Sequence, residues 1–163
     1  MIEFFITKYF IANSTGKIMI RQNILARLIV IIAALWLGMQ IMAGYIAAPV
    51  LFSHLPKMQA GEIAGILFGI LSWTGLVIWA GVFFVQYRAK VSAAKLTAVL
   101  WLFLCINEFL VTPVIEAYKN NTTNWLLSLL GGSFGAWHGI SSIIFMFCAL
   151  LAVISVWKTS KTI

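Results

Sequence analysis

The sequence predicts an all-α protein: an integral membrane, antiparallel four-helix bundle with the N and C termini both cytoplasmic. Three observations predict it, namely the apolar composition, four uncharged runs and an uneven distribution of basic residues. Of the 163 residues, 63% are hydrophobic and only 9% are charged, and the mean hydropathy is +1.03. So few polar side chains cannot solvate the surface of a small globular domain. The same composition excludes a disordered chain.

Four segments are long and apolar enough to be spanning helices, which need about 20 residues each. They cover about residues 28–51, 63–87, 96–115 and 133–157. The uncharged stretch from Trp125 to Trp157 is too long for one untilted helix. We therefore expect Gly131 and Gly132 to separate a short interfacial segment, Trp125 to Leu130, from the last span. The runs lack the period-two alternation of an outer-membrane barrel.

Residues 1–23 form a separate N-terminal segment ahead of the membrane domain, residues 24–163. The apolar residues of this segment are interrupted by Lys8 and stop at the polar run from Asn13 to Gly16. It is too short to span and lacks the cleavage site of a signal peptide. An amphipathic segment that lies on the cytoplasmic leaflet is one interpretation, and a true start at Met19 is the other.

The basic residues predict the orientation of the bundle. Nine of the eleven fall on one side of the predicted spans, and the other side carries only Lys57 and Lys119. Because basic loops stay in the cytoplasm, both termini should lie there. The net charge of +7 is thus explained by topology, and no nucleic-acid partner is expected.

Polar residues inside the apolar runs are rare, and such residues are functional candidates by default. Gln40, Asn107, Glu108 and His138 come from three different spans and lie at comparable depth in the outer half, and Ser141 is a further candidate for the same polar site. One interpretation is a polar cavity for a substrate, an ion or a proton. The other is a structural clasp, in which contact between Glu108 and His138 joins helices.

Glycines at four-residue spacing predict close helix packing, either inside the bundle or between two copies. Two prolines at the outer ends of the first and third spans predict helix ends or kinks. The packing positions are Gly44, Gly61, Gly65, Gly69, Gly135 and Gly139, and the helix-end positions are Tyr45, Pro49, Phe52 and Pro113.

Cofactor and catalytic signatures are scarce. No phosphate loop, nucleophile triad or dehydrogenase fingerprint occurs in the sequence, so the protein is not expected to be an enzyme and no cofactor is predicted. Copper or haem handling is a lesser alternative, since copper(I) favours soft ligands such as methionine and haem needs a histidine. The histidines are His54 and His138.

Three segments resemble a known family in their order and spacing. They are Gly44–Phe52 with the following Ala60–Phe68, then Thr112–Ile115, and then Phe134–Ser142. The sequence resembles the bacterial four-span family of domain of unknown function 4149, related to the eukaryotic transmembrane-protein-205 group, over about residues 28–157. The resemblance implies an inner-membrane protein without an established activity. It marks as worth testing Tyr45, Pro49, Phe52, Gly61, Gly65, Phe68, Pro113, His138, Gly139 and Ser141.

Two functional hypotheses follow. One is a non-enzymatic membrane module that serves assembly, stress tolerance or a larger complex through its glycine-lined faces. The other is a small transporter or export factor that uses the polar residues at the depth of Glu108. Beyond the lipid bilayer, the expected partners are a second copy of the chain or another membrane protein.

Overall fold

The computed structural model describes residue 24 and residues 27–161, and this part of the chain is helical with no strand. Predictions for residues 1–23 and for Met19 lie outside the described residues. The helices are α1 (Arg27–His54), α2 (Lys57–Arg88), α3 (Ala94–Asn120), α4 (Trp125–Leu130) and α5 (Phe134–Ser160). All except α4 are long and apolar enough to cross a membrane. The four predicted runs are thus confirmed as helices, each longer than predicted.

The predicted division of the last apolar stretch is confirmed. Gly131 and Gly132 have φ angles of 63° and 100°, in the region that favours glycine because a Cβ would clash there. They end α4 and allow the chain to turn before α5. The Ser133 side chain accepts a hydrogen bond from the Ala136 N–H and so caps the first turn of α5.

Short connections join the long helices and reverse the chain. Leu55 and Pro56 separate α1 from α2, and Lys90 adopts a positive φ between α2 and α3. Asn121, also left-handed, ends α3, after which the Asn124 side chain caps α4. Asparagine tolerates the left-handed conformation better than most residues, which suits it to this turn.

Successive long helices run in opposite directions and close into a ring, as contacts at their interfaces show. Trp36 Nε1 on α1 donates to Leu71 O on α2, and Trp101 Nε1 on α3 donates to Leu76 O on α2. Cys148 Sγ on α5 lies 3.9 Å from the carbonyl of Leu100 on α3. Gln40 on α1 bonds to α5, as described below, which closes the ring.

The core lies on the axis of this ring. Trp36 and Trp79 are fully buried, with ring centroids 5.7 Å apart and planes at 86°, the edge-to-face geometry that aromatic pairs favour. Leu104 from α3 and Cys148 from α5 complete the same cluster. All four long helices therefore contribute to one central layer, which is named the tryptophan layer below.

Candidate functional site

One helical turn beyond the tryptophan layer, the interior of the bundle becomes polar. Gln40 follows Trp36 on α1 by four residues, and Asn107 follows Leu104 on α3 by three, so both continue the inward face of their helices. Gln40 and Asn107 are 4% and 1% exposed. On α2, Ser72 is buried one turn from Leu76, which belongs to the same core. We name Gln40, Ser72, Asn107 and Glu108 the acceptor layer.

Gln40 is anchored through one end of its amide only. Its Nε2 donates to the carbonyl oxygen of Phe145 on α5 over 2.7 Å, whereas its buried Oε1 has no hydrogen-bond partner. Rotating the amide would place one oxygen against another, so the donor group must face Phe145. The free atom of Gln40 is therefore an acceptor.

The α3 side of the layer also presents free oxygens. Asn107 Oδ1 and Glu108 Oε2 are buried without a hydrogen-bond partner. Glu108 is half-buried, and the Ser72 side chain on α2 interacts with its carboxyl group. Four buried side-chain polar atoms of the described residues lack a partner, and three of them belong to this layer; the fourth is Trp79 Nε1.

Both helices that supply amides to this layer contain a π-helical turn at this level. The turns cover Met42–Ala47 in α1 and Asn107–Val111 in α3. A proline follows each turn, Pro49 and Pro113, and because proline has no N–H, a carbonyl about one turn earlier loses its helix partner. Such π turns occur frequently at functional sites. The acceptor layer is thus bordered by backbone that is not fully paired.

The prolines do not end their helices. We expected α1 to end near residue 51 and α3 near residue 115, but they continue to His54 and Asn120. In each case the π turn accommodates the backbone distortion that the proline causes. The α-helix that follows has the proline in its first turn, where the missing N–H is tolerated.

The structure does not bring His138 to Glu108. His138 is exposed, and its imidazole stacks on the Phe134 ring with centroids 6.0 Å apart. In the described part of the chain no hydrogen bond or ion pair joins His138 to Glu108, and the contact that the sequence suggested is absent. Ser141 is half-buried. Of the five predicted polar residues, three lie in the acceptor layer.

A second polar cluster, which the sequence analysis missed, lies on the other side of the tryptophan layer. It joins three helices through side chains that are all buried. We name it the hydroxyl cluster, and it consists of Gln86 on α2, Thr97 on α3 and Ser155 and Thr159 on α5.

Every polar atom of the Gln86 amide is used in this cluster. Its Nε2 donates to Ser155 Oγ over 3.1 Å and to Thr159 Oγ1 over 2.8 Å. Its Oε1 accepts from Thr97 Oγ1 over 2.7 Å. Thr97 and Ser155 are also joined over 2.6 Å, and Thr159 Oγ1 donates to the carbonyl of Ser155. The hydroxyl cluster is therefore a closed network, in which each polar side-chain atom has a hydrogen-bond partner.

Comparison with known families decides the identity. The family model of the domain of unknown function DUF4149 matches residues 31–124, more than half of the chain. The chain belongs to the DUF4149 family. No curated protein and no solved structure matches it.

The DUF4149 match contains the whole acceptor layer, from Gln40 to Glu108, and both π turns. It ends at Asn124, so the Phe134–Ser142 segment that also suggested the family lies beyond it. Family membership and four long apolar helices together fit a multi-pass membrane protein whose activity is not established.

Only two of the six glycines predicted to pack have close neighbours. A Cβ on Gly61 would lie 3.9 Å from Phe52 Cζ, and one on Gly65 would lie 3.0 Å from Lys119 Nζ. A Cβ would meet open space at the others, Gly44, Gly69, Gly135 and Gly139.

The closest helix approach at a glycine is at Gly75, which the sequence analysis did not single out. A Cβ there would lie 2.7 Å from Cζ2 of Trp36, so only glycine lets the indole lie this close to α2. A neighbouring indole on another helix gives no local signal in the sequence around Gly75.

The end of the DUF4149 bundle at which α1 meets α2 carries the remaining predicted residues. Tyr45 and Phe52 are exposed. His54 Nδ1 lies 2.7 Å from Ser53 Oγ and 3.0 Å from the Val50 carbonyl, contacts within its own helix end. Among the described residues, no three His, Cys, Asp or Glu side chains converge as metal ligands.

Proposed function

We propose that this DUF4149 protein is a multi-pass protein of the bacterial inner membrane with both termini in the cytoplasm. The described basic residues at the Arg88 end of the bundle support this orientation. There Lys161 Nζ lies 3.8 Å from the ring centroid of Trp157, and Arg88 Cζ lies 5.7 Å from that of Phe84. Aromatic rings beside basic groups are typical of the membrane–water interface.

Labelling of single cysteines tests this topology. In a variant with Cys105 and Cys148 replaced by alanine, we expect Thr123→Cys to react with a membrane-impermeant maleimide in intact cells. Arg88→Cys should react only after the membrane is permeabilised. The opposite labelling pattern would reverse the proposed orientation, and equal labelling of the two positions in intact cells would contradict a topology that places them on opposite sides of the membrane.

For the role, we propose a non-enzymatic membrane module that acts by associating with a second copy or another membrane protein. The observation that carries this proposal is the contrast between interior and surface. The interior holds the core, the hydroxyl cluster and the acceptor layer, whereas large apolar side chains cover the outside of every helix. The α5 surface includes Gly135 and Gly139, where a neighbouring helix has room to approach.

Co-purification from crosslinked membranes tests the role. We expect Gly135→Leu to lower recovery of the associated copy or partner at least about fivefold, a loss of roughly 1 kcal/mol of association energy. Gly81→Leu is the matched control, because Gly81 also faces open space but lies outside the four-residue glycine spacing. Equal recovery from both variants would contradict association through this surface of α5.

A small transporter is the second candidate, and the free oxygens of the acceptor layer favour it. Ionisable side chains buried inside a membrane domain, such as Glu108, mark substrate or ion pathways in many membrane proteins. A transporter predicts that Glu108→Gln abolishes transport in proteoliposomes while the folded protein still accumulates.

Copper or haem handling is tested by the absorption spectrum and metal content of the purified protein. A Soret band or near-stoichiometric copper would favour that role over both others.

A further inference from the structure

We propose that the acceptor layer is a binding site for a small monovalent cation of the size of sodium, held by Gln40, Asn107 and Glu108. This inference goes beyond the association role and does not depend on it. It requires that the three oxygens, which are buried at one level of the bundle without partners, converge on one ion. Its failure would therefore leave the proposed role unchanged.

The chemistry of the free atoms points to a cation. Gln40 Oε1, Asn107 Oδ1 and Glu108 Oε2 are all hydrogen-bond acceptors, and each is buried without a donor. An unsatisfied buried acceptor costs about 1–3 kcal/mol, so three at one level are a large cost to leave unpaired. One cation satisfies several oxygens at once, and carboxylate and carbonyl oxygens suit hard cations.

The charge of the layer selects a monovalent ion. Glu108 is the only acidic side chain in the layer, and the other charged group acting on it is Glu116, which is also acidic. A bound charge of +1 neutralises the Glu108 carboxylate. A divalent ion would leave an excess positive charge in the apolar interior, which is costly. A cation of charge +1 therefore fits the site better than calcium or magnesium.

The surrounding structure orients the oxygens and offers more of them. The Phe145 carbonyl holds the nitrogen of the Gln40 amide, which leaves the oxygen of that amide free. The Ser72 hydroxyl interacts with the Glu108 carboxyl group from α2. Pro49 and Pro113, which follow the π turns in α1 and α3, each leave a carbonyl about one turn earlier without its usual helix partner, and carbonyls of interrupted helices coordinate sodium in known membrane folds.

Thermal unfolding in different salts tests the site. Full-length protein in detergent is unfolded at constant pH and ionic strength, with NaCl replacing choline chloride stepwise and tryptophan fluorescence as the signal. We expect a saturable rise in Tm, about 5 °C or more once NaCl exceeds Kd a hundredfold. Equilibrium dialysis with radioactive sodium should give one ion per chain.

Three variants and one control complete the experiment. Glu108→Gln keeps an oxygen but removes the charge, and Asn107→Leu removes an oxygen; both should lose the Tm response to NaCl. Ser72→Ala is the mildest change and provides the test if the other two variants fail to fold. It should shift the NaCl concentration at the midpoint of the Tm response at least threefold higher. Thr97→Val, in the hydroxyl cluster, should lower Tm in every salt and keep the full response.

Three outcomes would overturn the cation site. The first is an equal Tm for the wild-type protein in NaCl and choline chloride. The second is an undiminished NaCl response in every foldable variant of the layer. The third is a Tm that follows pH but not NaCl, which would mean that a proton on Glu108, rather than a metal cation, satisfies the layer.

Discussion

The bundle contains two polar layers, and they differ in how their amides are satisfied. In the hydroxyl cluster, Gln86 bonds to side chains from α3 and α5, and each of its polar atoms has a partner. In the acceptor layer, Gln40 makes one hydrogen bond and its oxygen has none. The difference lies in the neighbours, because hydroxyl groups both donate and accept, whereas amide and carboxylate oxygens only accept.

This comparison teaches that a polar side chain within an apolar bundle does not by itself indicate a ligand site. A closed network stabilises the packing of the helices, whereas buried acceptors without donors leave atoms with which a ligand could pair. The tryptophan layer lies between the two and separates them, since Trp36 and Trp79 fill the interior there.

The largest effect is expected when this separating layer is disturbed. Gly75→Leu would force a side chain into Trp36, because even a Cβ added at this position would lie 2.7 Å from the indole ring. We expect it to lower the free energy of unfolding by at least about 3 kcal/mol, because neither the buried indole nor the helix can yield. The measurement is unfolding of the purified protein by SDS in mixed micelles, followed by tryptophan fluorescence.

Gly69→Leu is the matched control for Gly75→Leu. It lies on the same helix, and a Cβ there meets open space, so its unfolding should stay within about 0.5 kcal/mol of the wild-type protein. Equal losses in the two variants would show that a leucine on α2 is harmful by itself, and the separating layer would not explain the effect.

A second prediction compares the two layers directly by the same kind of substitution. Gln86→Leu should cost about 2 kcal/mol, because it removes three hydrogen bonds and leaves buried hydroxyls with fewer partners. Asn107→Leu, measured in choline chloride, should be neutral or stabilise by up to about 1 kcal/mol, because it removes an unpaired oxygen.

Opposite signs for these two substitutions would establish that one layer is closed and the other open. If Asn107→Leu cost as much as Gln86→Leu in the absence of sodium, Asn107 would have a partner, and the distinction between the layers would be wrong. SDS unfolding of both variants in parallel measures the difference.

Much of the fold was predictable because its signals are local. The four apolar runs, and the break at Gly131 and Gly132, follow from composition and from glycine's access to positive φ. The lengths of α1 and α3 were underestimated because proline usually ends a helix. Here the π turns at Met42–Ala47 and Asn107–Val111 accommodate Pro49 and Pro113, so that both helices continue past the proline.

The candidate site was predicted only in part, since a sequence shows depth along a helix but not which way a side chain points. Gln40, Asn107 and Glu108 stood out as polar residues deep in apolar runs. His138, at similar depth, points outward. Gln86 was missed because it lies next to Arg88 at a helix end, although its seven-residue spacing from Trp79 continues the inward face of α2.

The smallest expected effect is the interaction energy between two residues of the same layer. This energy distinguishes the two layers most specifically, because it reports whether two side chains share a partner. A double-mutant cycle of Gln86→Leu and Thr97→Val should give an interaction energy of about 1 kcal/mol, because the two side chains share a 2.7 Å hydrogen bond. The matched cycle of Gln40→Leu and Asn107→Leu should give less than about 0.3 kcal/mol in choline chloride, since no hydrogen bond of the described residues joins this pair.

In NaCl the cycle of Gln40→Leu and Asn107→Leu should give an interaction energy similar to that of the first cycle, because a shared cation would make the contribution of each oxygen depend on the other. Coupling that is equally small in both salts would mean that Gln40 and Asn107 never share a ligand, and the acceptor layer would then be an unpaired region of the core.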